Sequence, residues 1–239
     1  MADAIFAHPR LAEIYDAVDD DRSDLDLYLA VVAERGAQQL LDIGCGTGSF
    51  ASLLAGRGVD VVGVDPAAAS LAVAQRKPHA SRVRWVLGDL ANVPEMEVDL
   101  VTMTGNVAMV FLDDAEWRAV LAGARSRLAP GGSLAFEVRR PERRAWEDWT
   151  PEATRRRVAL PEGSVETWVE LTAVDLPLVS FRHHCAFSDD ATLISDSTLR
   201  FRSLPEIEAD LATAGLEVIE VRDAPDRPGL EHVILAQPT

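Results

Sequence analysis

A chain of 239 residues is long enough to bury a full hydrophobic core without disulfide or metal staples, and at roughly 150 residues per domain it reads as one large domain with room for an insertion. With 39 acidic against 23 basic residues its formal charge is −16, which argues against nucleic-acid backbones and anionic membrane surfaces as main partners. Its two cysteines, Cys45 and Cys185, form no CxxC pair, which argues against a disulfide scaffold and against a cysteine-based metal site.

The first 36 residues read as helical and partly acidic. Their opening lacks the basic and long apolar stretches of a signal peptide, and no apolar run approaches a membrane span, so a cytoplasmic protein is expected. Asp19, Asp20 and Asp21 read as a solvated loop, Asp24 as the cap of the next helix and Gly36 as its stop. Short, nearly continuous apolar runs follow at 39–43, 60–64, 83–87, 98–103 and 132–138, the pattern of strands buried on both faces. Helical stretches separate them at 50–56, 67–76 and 113–128, the last broken by Pro130-Gly131-Gly132. The β-α-β-α order predicts an open, doubly wound α/β fold with a mostly parallel sheet.

Near residue 141 the rhythm changes. Residues 141–161 read as loop and short helix, and the strand-like runs 165–174, 178–187 and 191–201 sit too close together for anything but antiparallel hairpins. The α/β rhythm then resumes with a helix over 204–214, stopped by Gly215, and strands at 216–221 and 231–237, the last antiparallel because its link is short. The division expected is one domain from 1–140 and 202–239, carrying an antiparallel β insertion at 141–201 that serves as a lid or as a dimer platform.

The sharpest signal is the segment Asp42-Ile43-Gly44-Cys45-Gly46-Thr47-Gly48, in which a strand ends, three alternating glycines follow and a helix opens. Such glycines permit close backbone approach to a ligand, and the helix start offers free N–H groups. A nicotinamide site wants GxGxxG, but the sixth position from Gly44 is Ser49. Asp42 would repel a pyrophosphate and suits a ligand bearing an amino group.

This loop resembles that of the class I S-adenosylmethionine-dependent methyltransferases. Asp65 ends the second strand, 21 residues after Gly44, Gly88-Asp89-Leu90 follows the third, and the Pro130-Gly131-Gly132 turn leads into the fifth. The resemblance implies a seven-stranded, Rossmann-like sheet and S-adenosylmethionine as cofactor. It implies that Asp42, Gly44, Cys45, Gly46, Gly48, Asp65, Pro66, Gly88, Asp89, Leu90 and Thr104 form the cofactor site. In the family Asp65 would accept from the ribose hydroxyls, Asp89 would contact the adenine amino group, and the backbone of Leu90 would read the ring edge. Cys45 reads as a small apolar filler.

Acceptors in such folds bind beyond the carboxyl ends of the strands. The segment after the fourth strand, Thr104-Gly105-Asn106, lacks the Asn/Asp-Pro-Pro-aromatic tetrad of base and amide methylases, and neither cysteine follows a proline. Both absences and the charge favour a small-molecule acceptor, methylated at nitrogen or oxygen by in-line displacement, which positioning can drive with a base only where the acceptor must lose a proton. Catalytic candidates are Tyr15, closing over the cofactor, Asn106, beside the methyl group, and His183 or His184, of which one must face each side of its strand. Glu137 and Arg139 end the fifth strand near the pocket mouth. Seven arginines between Arg139 and Arg157 predict an electropositive rim for an acidic acceptor, or else a solvated loop paired with nearby acids. The rival readings are an RNA methyltransferase, a non-catalytic cofactor-binding partner subunit and a nicotinamide oxidoreductase. No metal site is expected, and the chain reads as a monomer or homodimer.

Overall fold

The computed structural model of the protein describes residues 2–239. It opens with three helices, α1 (Ala4–Ala7), α2 (Pro9–Val18) and α3 (Asp24–Arg35). Pro9 starts α2, where its missing N–H costs nothing, and α3 stops at Gly36, whose φ of 61° is the left-handed turn that glycine adopts without strain. Asp24 is not the cap expected. Ser23 holds that position, and Asp24 is the first helical residue, paired with Arg22 at 3.2 Å.

Alternating strands and helices follow: β1 (Gln39–Ile43), α4 (Ser49–Gly56), β2 (Asp60–Asp65), α5 (Ala68–Ala74), β3 (Val83–Leu87), β4 (Val98–Met103), α6 (Asp114–Arg125) and β5 (Leu128–Arg139). After the insertion come α8 (Leu204–Thr213), β10 (Leu216–Asp223) and β11 (Glu231–Pro238). These strands form one seven-stranded sheet in the order β10-β11-β5-β4-β1-β2-β3, parallel except that β11 runs antiparallel to both β5 and β10. The chain leaves β1 in one direction and returns at β4 in the other, so a crevice opens beyond the carboxyl ends of those two strands.

Alternate residues of the central strands explain the two cores. Leu41, Val101, Met103, Leu134 and Phe136 face α6 and α8, where Trp117, Leu121 and Ile207 are buried. Leu40, Leu100 and Ala135 face α3 and α4, against Tyr28, Val31, Phe50 and Leu54. Two expectations need correction here. The run 83–87 is not buried on both faces, because β3 lies at the sheet edge and leaves Leu87 57% exposed. Pro130-Gly131-Gly132 does not break α6, which ends at Arg125; it forms an irregularity within β5, where Leu128 pairs with Val98 and pairing resumes at Leu100 with Ser133.

The insertion holds α7 (Pro151–Thr154) and a second sheet of four antiparallel strands, β6 (Arg156–Leu160), β7 (Gly163–Asp175), β8 (Leu178–Phe187) and β9 (Thr192–Arg200). The strand β6 lies where loop and short helix were expected. Its paired arginines hide the pattern, but Val158 and Leu160 alternate inward against the N-terminal helices. One face of this sheet is buried through Val165, Thr167, Val179, Cys185, Phe187, Ser195 and Ser197. Ile5, Leu11 and Ile14 pack on it, and Ser195 Oγ accepts the N–H of Ile5 at 2.8 Å. The aromatic hinge Trp146, Trp149, Phe181 and Phe201 joins this sheet to the end of β5, with Trp146 and Phe201 ring centroids 4.7 Å apart.

Trp117 is 1% exposed, lies edge-on to Phe136 at 5.7 Å, and has a buried indole N–H without a partner. Trp117→Ala should therefore cost about 3–5 kcal/mol in urea-induced unfolding. Trp117→Phe should cost clearly less, because it keeps an aromatic body and removes the unsatisfied donor.

Candidate functional site

The glycine loop bridges β1 and α4. Gly44, Gly46 and Gly48 all have left-handed backbones, with φ of 70°, 52° and 75°. A side chain at Gly44 would strike Val107 at 2.6 Å, and one at Gly48 would strike Trp85 at 2.5 Å. A Cβ at Gly46 would meet nothing within 4 Å, so the middle glycine turns toward open space. The loop folds back onto β2: Gly44 and Cys45 both donate their N–H to Val64 O, at 2.8 and 3.1 Å.

Asp65 holds this arrangement. One of its carboxylate oxygens accepts the N–H of Gly46 at 2.8 Å, and the other that of Ala67 at 2.7 Å. The residue is 7% exposed, and burial raises its carboxyl above the ordinary range, against the pull of those two N–H bonds. Pro66 beside it is exposed. Asp42 lies deeper, at 1% exposure, and accepts from Thr102 Oγ1 at 2.8 Å. Burial pushes its carboxyl up to about 7, with the Asp65 charge adding and the Thr102 bond opposing. Burial also pushes the Cys45 thiol well above its ordinary range, which suits a filler and not a nucleophile.

Gly88 and Asp89 follow β3. The Asp89 carboxylate accepts the N–H of Ala91 at 2.8 Å while Asn92 Oδ1 accepts that of Asp89 at 3.0 Å, a capping box that rigidifies the turn through buried Leu90. Arg127 fixes the same turn by donating to Leu90 O at 2.7 Å. Thr104 is half-buried, directly after β4. The loops carrying Asp42, the glycines, Asp65, Asp89 and Thr104 thus all leave carboxyl ends of neighbouring parallel strands. Two surface depressions of about 300 and 310 Å³ lie at the other, amino edge of the sheet, beside Pro130 and beside Asp60, and contain none of these residues.

The acceptor-side candidates separate. In β8 His183 shares the buried face with Val179, Cys185 and Phe187, in register with Val169 and Ser195, edge-on to Phe181 at 5.2 Å. Burial, aided by His184, depresses its pKa to about 4, so the ring is neutral at physiological pH. His184 points the other way, and its candidacy is corrected: it stacks on Trp168 at 4.7 Å and bonds Glu170 at 3.0 Å on the outer face. Asn106, expected beside the methyl group, has a left-handed backbone, φ 62°, and donates its N–H to Glu137 at 2.8 Å and its Nδ2 to Glu231 at 3.2 Å. That side chain braces the turn after β4, with its buried Oδ1 left without a partner. Tyr15 is packed between Phe6, at 5.4 Å, and the second sheet, and burial raises its phenol.

Glu137 was expected only near the pocket mouth, and two further features, Glu231 and Asp16, had no local signal in the sequence. Glu137 is 4% exposed and accepts from the Tyr28 hydroxyl as well as from Asn106. Burial pushes it up to about 7, with Glu231 adding to the effect. Glu231, 1% exposed, receives Arg227 at 3.1 Å and Arg139 at 3.6 Å. Asp16, next to Tyr15, accepts from Thr47 Oγ1 in the glycine loop at 2.6 Å. Of the seven arginines, four meet acids, as the paired-loop alternative has it: Arg140 pairs with Asp223, Arg144 with Glu147 and Arg155 with Glu166, and Arg139 turns inward to Glu231. Arg156 donates to Val18 O and Arg157 to Ser164 Oγ. Among the described residues no group of three or more His, Cys, Asp or Glu is placed to hold a metal ion, and no helix is long and apolar enough to cross a membrane.

The family model for a methyltransferase domain matches residues 40–132, the span from β1 through the turn in β5. The chain is 34% identical over 103 residues to a cypemycin N-terminal methyltransferase of Streptomyces, covering 43% of this chain and 42% of that protein. It spans about half the length, or less, of other curated methyltransferases that it matches over a similar stretch. Against a malonyl-[acyl-carrier protein] O-methyltransferase of Pectobacterium atrosepticum it is 29% identical, over 85% of this chain and 77% of that protein. Among solved structures it resembles CalS10, an amino pentose methyltransferase of Micromonospora echinaspora solved with S-adenosylmethionine bound. The TM-score is 0.68 and the identity 25%, over 90% of each chain. With the glycine loop, the strand-end aspartates and the reversed last strand on one scaffold, residues 40–132 match a methyltransferase domain, and the chain shares the fold of the class I S-adenosylmethionine-dependent methyltransferases.

Proposed function

We propose that the protein transfers the methyl group of S-adenosylmethionine to a nitrogen or oxygen of a small-molecule acceptor. The observation that carries this reading is the Asp42–Gly46–Asp65 arrangement, which leaves the middle of the loop open. In it Asp42 would receive the cofactor's amino group, Asp65 its ribose, and the Asp89–Leu90 turn its adenine. Gly44, Cys45, Gly46 and Gly48 would supply the close backbone, with Pro66, Gly88 and Thr104 at its margins. The cofactor itself supplies a sulfonium-activated methyl group; the protein's share is to orient the acceptor in line with it and to exclude water.

The acceptor would enter between the carboxyl edge of the main sheet and the buried face of the small one. His183 is our candidate for holding the acceptor's proton, because it faces that side and stays neutral. Nitrogen and oxygen acceptors both have support in the similar proteins: one is an N-terminal methyltransferase, one an amino pentose methyltransferase and the third an O-methyltransferase. The separately paired arginines favour a small molecule over RNA, for which a continuous basic surface is needed.

Calorimetric titration with S-adenosylhomocysteine, with NAD as control, tests the cofactor reading. Micromolar binding of the former alone is expected, and Asp65→Ala should weaken it by at least about tenfold, since each charge-assisted bond contributes roughly 1.5–3 kcal/mol. Normal binding by Asp65→Ala would misplace the site.

Binding should also tighten as pH rises from 6 to 8. The free Asp42 carboxyl titrates at about 7. An ammonium group beside it favours the ionised form, so binding releases a proton below that pH. The affinity gain is at most about tenfold per pH unit and levels off above pH 7. Asp42→Asn should flatten the dependence.

Once screening yields an acceptor, His183→Ala should lower kcat while His184→Ala leaves it nearly unchanged. Because His183 titrates at about 4, the wild-type rate should show no histidine limb between pH 5.5 and 7.5. Equal losses in the two variants would remove His183 from the mechanism.

A further inference from the structure

Helix α2 is fastened to the glycine loop through one side chain. Asp16 Oδ1 accepts from Thr47 Oγ1 at 2.6 Å and from Ser49 Oγ at 3.2 Å, while Oδ2 lies 2.5 Å from Lys77 Nζ. Lys77 closes the ring by donating to Ser49 Oγ at 2.6 Å. Burial alone would raise the Asp16 carboxyl, but the Lys77, Thr47 and Ser49 bonds hold it below its ordinary value, so it is ionised at neutral pH. Thr47 and Ser49 flank Gly48 and lie within three residues of Gly46, the glycine that faces open space.

The helices α1 and α2 are also tied to the second sheet. Ile5 donates to Ser195 in β9, Arg10 pairs with Asp189 at 2.7 Å, and Arg156 of β6 donates to Val18 O. Further contacts, Ser70 to Phe6 O at 2.9 Å and Arg76 with Glu13, hold the same helices to α5 and the segment after it. The N-terminal segment therefore spans from the acceptor-side sheet to the cofactor half, and Asp16 is the point at which it grips the loop itself.

We propose that Asp16 is a positioning residue that latches α2 over the glycine loop, and that release of this contact gates cofactor entry and exit. The proposal rests on the cofactor reading above. A gate has a kinetic signature that a direct ligand contact lacks. Removing a ligand contact speeds dissociation and leaves association unchanged, whereas weakening a gate speeds both, and the equilibrium constant moves less than either rate.

Stopped-flow mixing with S-adenosylhomocysteine, followed by tryptophan fluorescence, reads these rates directly; Trp85 sits against Gly48 and serves as reporter. In Asp16→Asn both association and dissociation should accelerate by about tenfold, the factor set by loss of one charge-assisted bond. The Thr47→Val/Ser49→Ala double variant removes the same contact from the loop side, should behave alike, and serves if Asp16→Asn fails to fold. Faster dissociation with unchanged association would make Asp16 a ligand contact and overturn the gate. Unchanged rates in both variants would overturn it equally. A wild-type protein that does not bind S-adenosylhomocysteine is a separate result, the failure of the cofactor reading itself.

Discussion

The carboxyl edge of this fold is organised by the two hydrogen bonds that Asp65 accepts. One oxygen takes the Gly46 N–H from the loop after β1, and the other takes the Ala67 N–H at the entrance to α5. Two loops that leave adjacent parallel strands are thereby tied through one buried carboxylate. The left-handed glycines let the loop reach that carboxylate, and packing against Val107 and Trp85 excludes side chains from two of them. What remains is a loop shaped by backbone alone, rigid at both ends and open at its middle.

Around this point the protein keeps several acids out of water. Asp42, Asp65, Glu137 and Glu231 are each less than 8% exposed, a costly arrangement unless partners or protons offset it. The structure does this in two ways. Glu231 is matched by Arg227 and Arg139, while Asp42 and Glu137 have carboxyl groups that titrate near neutrality and hold neutral donors, Thr102 and Tyr28. On the proposed reading a cationic ligand would find in Asp42 an acid already buried and positioned, which costs no reorganisation when it binds.

Much of this was legible in the sequence because its signals are local. The glycine spacing, the aspartate ending β2 and the Gly88-Asp89 turn are each contained within a few residues, and apolar runs show buried strands directly. Strand β3 misled because an edge strand and a central strand share the same apolar run; only neighbours tell them apart. Strand β6 was missed because its first two residues are exposed arginines and only Val158 and Leu160 carry the alternation. The arginine-rich segment left a rim and an acid-paired loop both open because one-dimensional clustering shows charge but not the acids that meet it, such as Asp223, far away in the chain.

The sequence by itself determined the architecture and the glycine loop, since periodicity and glycine placement act over one or two turns of chain, and the cofactor class followed from the loop's resemblance to a known family. Tertiary structure alone decided which histidine faces inward, because strand alternation leaves two choices and burial of Val179, Cys185 and Phe187 selects one. It also decided that Asn106 braces a turn, that Glu137 clamps it, and that Asp16 reaches Thr47 across 31 residues of sequence. Such contacts depend on where two segments meet after the sheet has formed, and no residue pattern along the chain encodes that meeting.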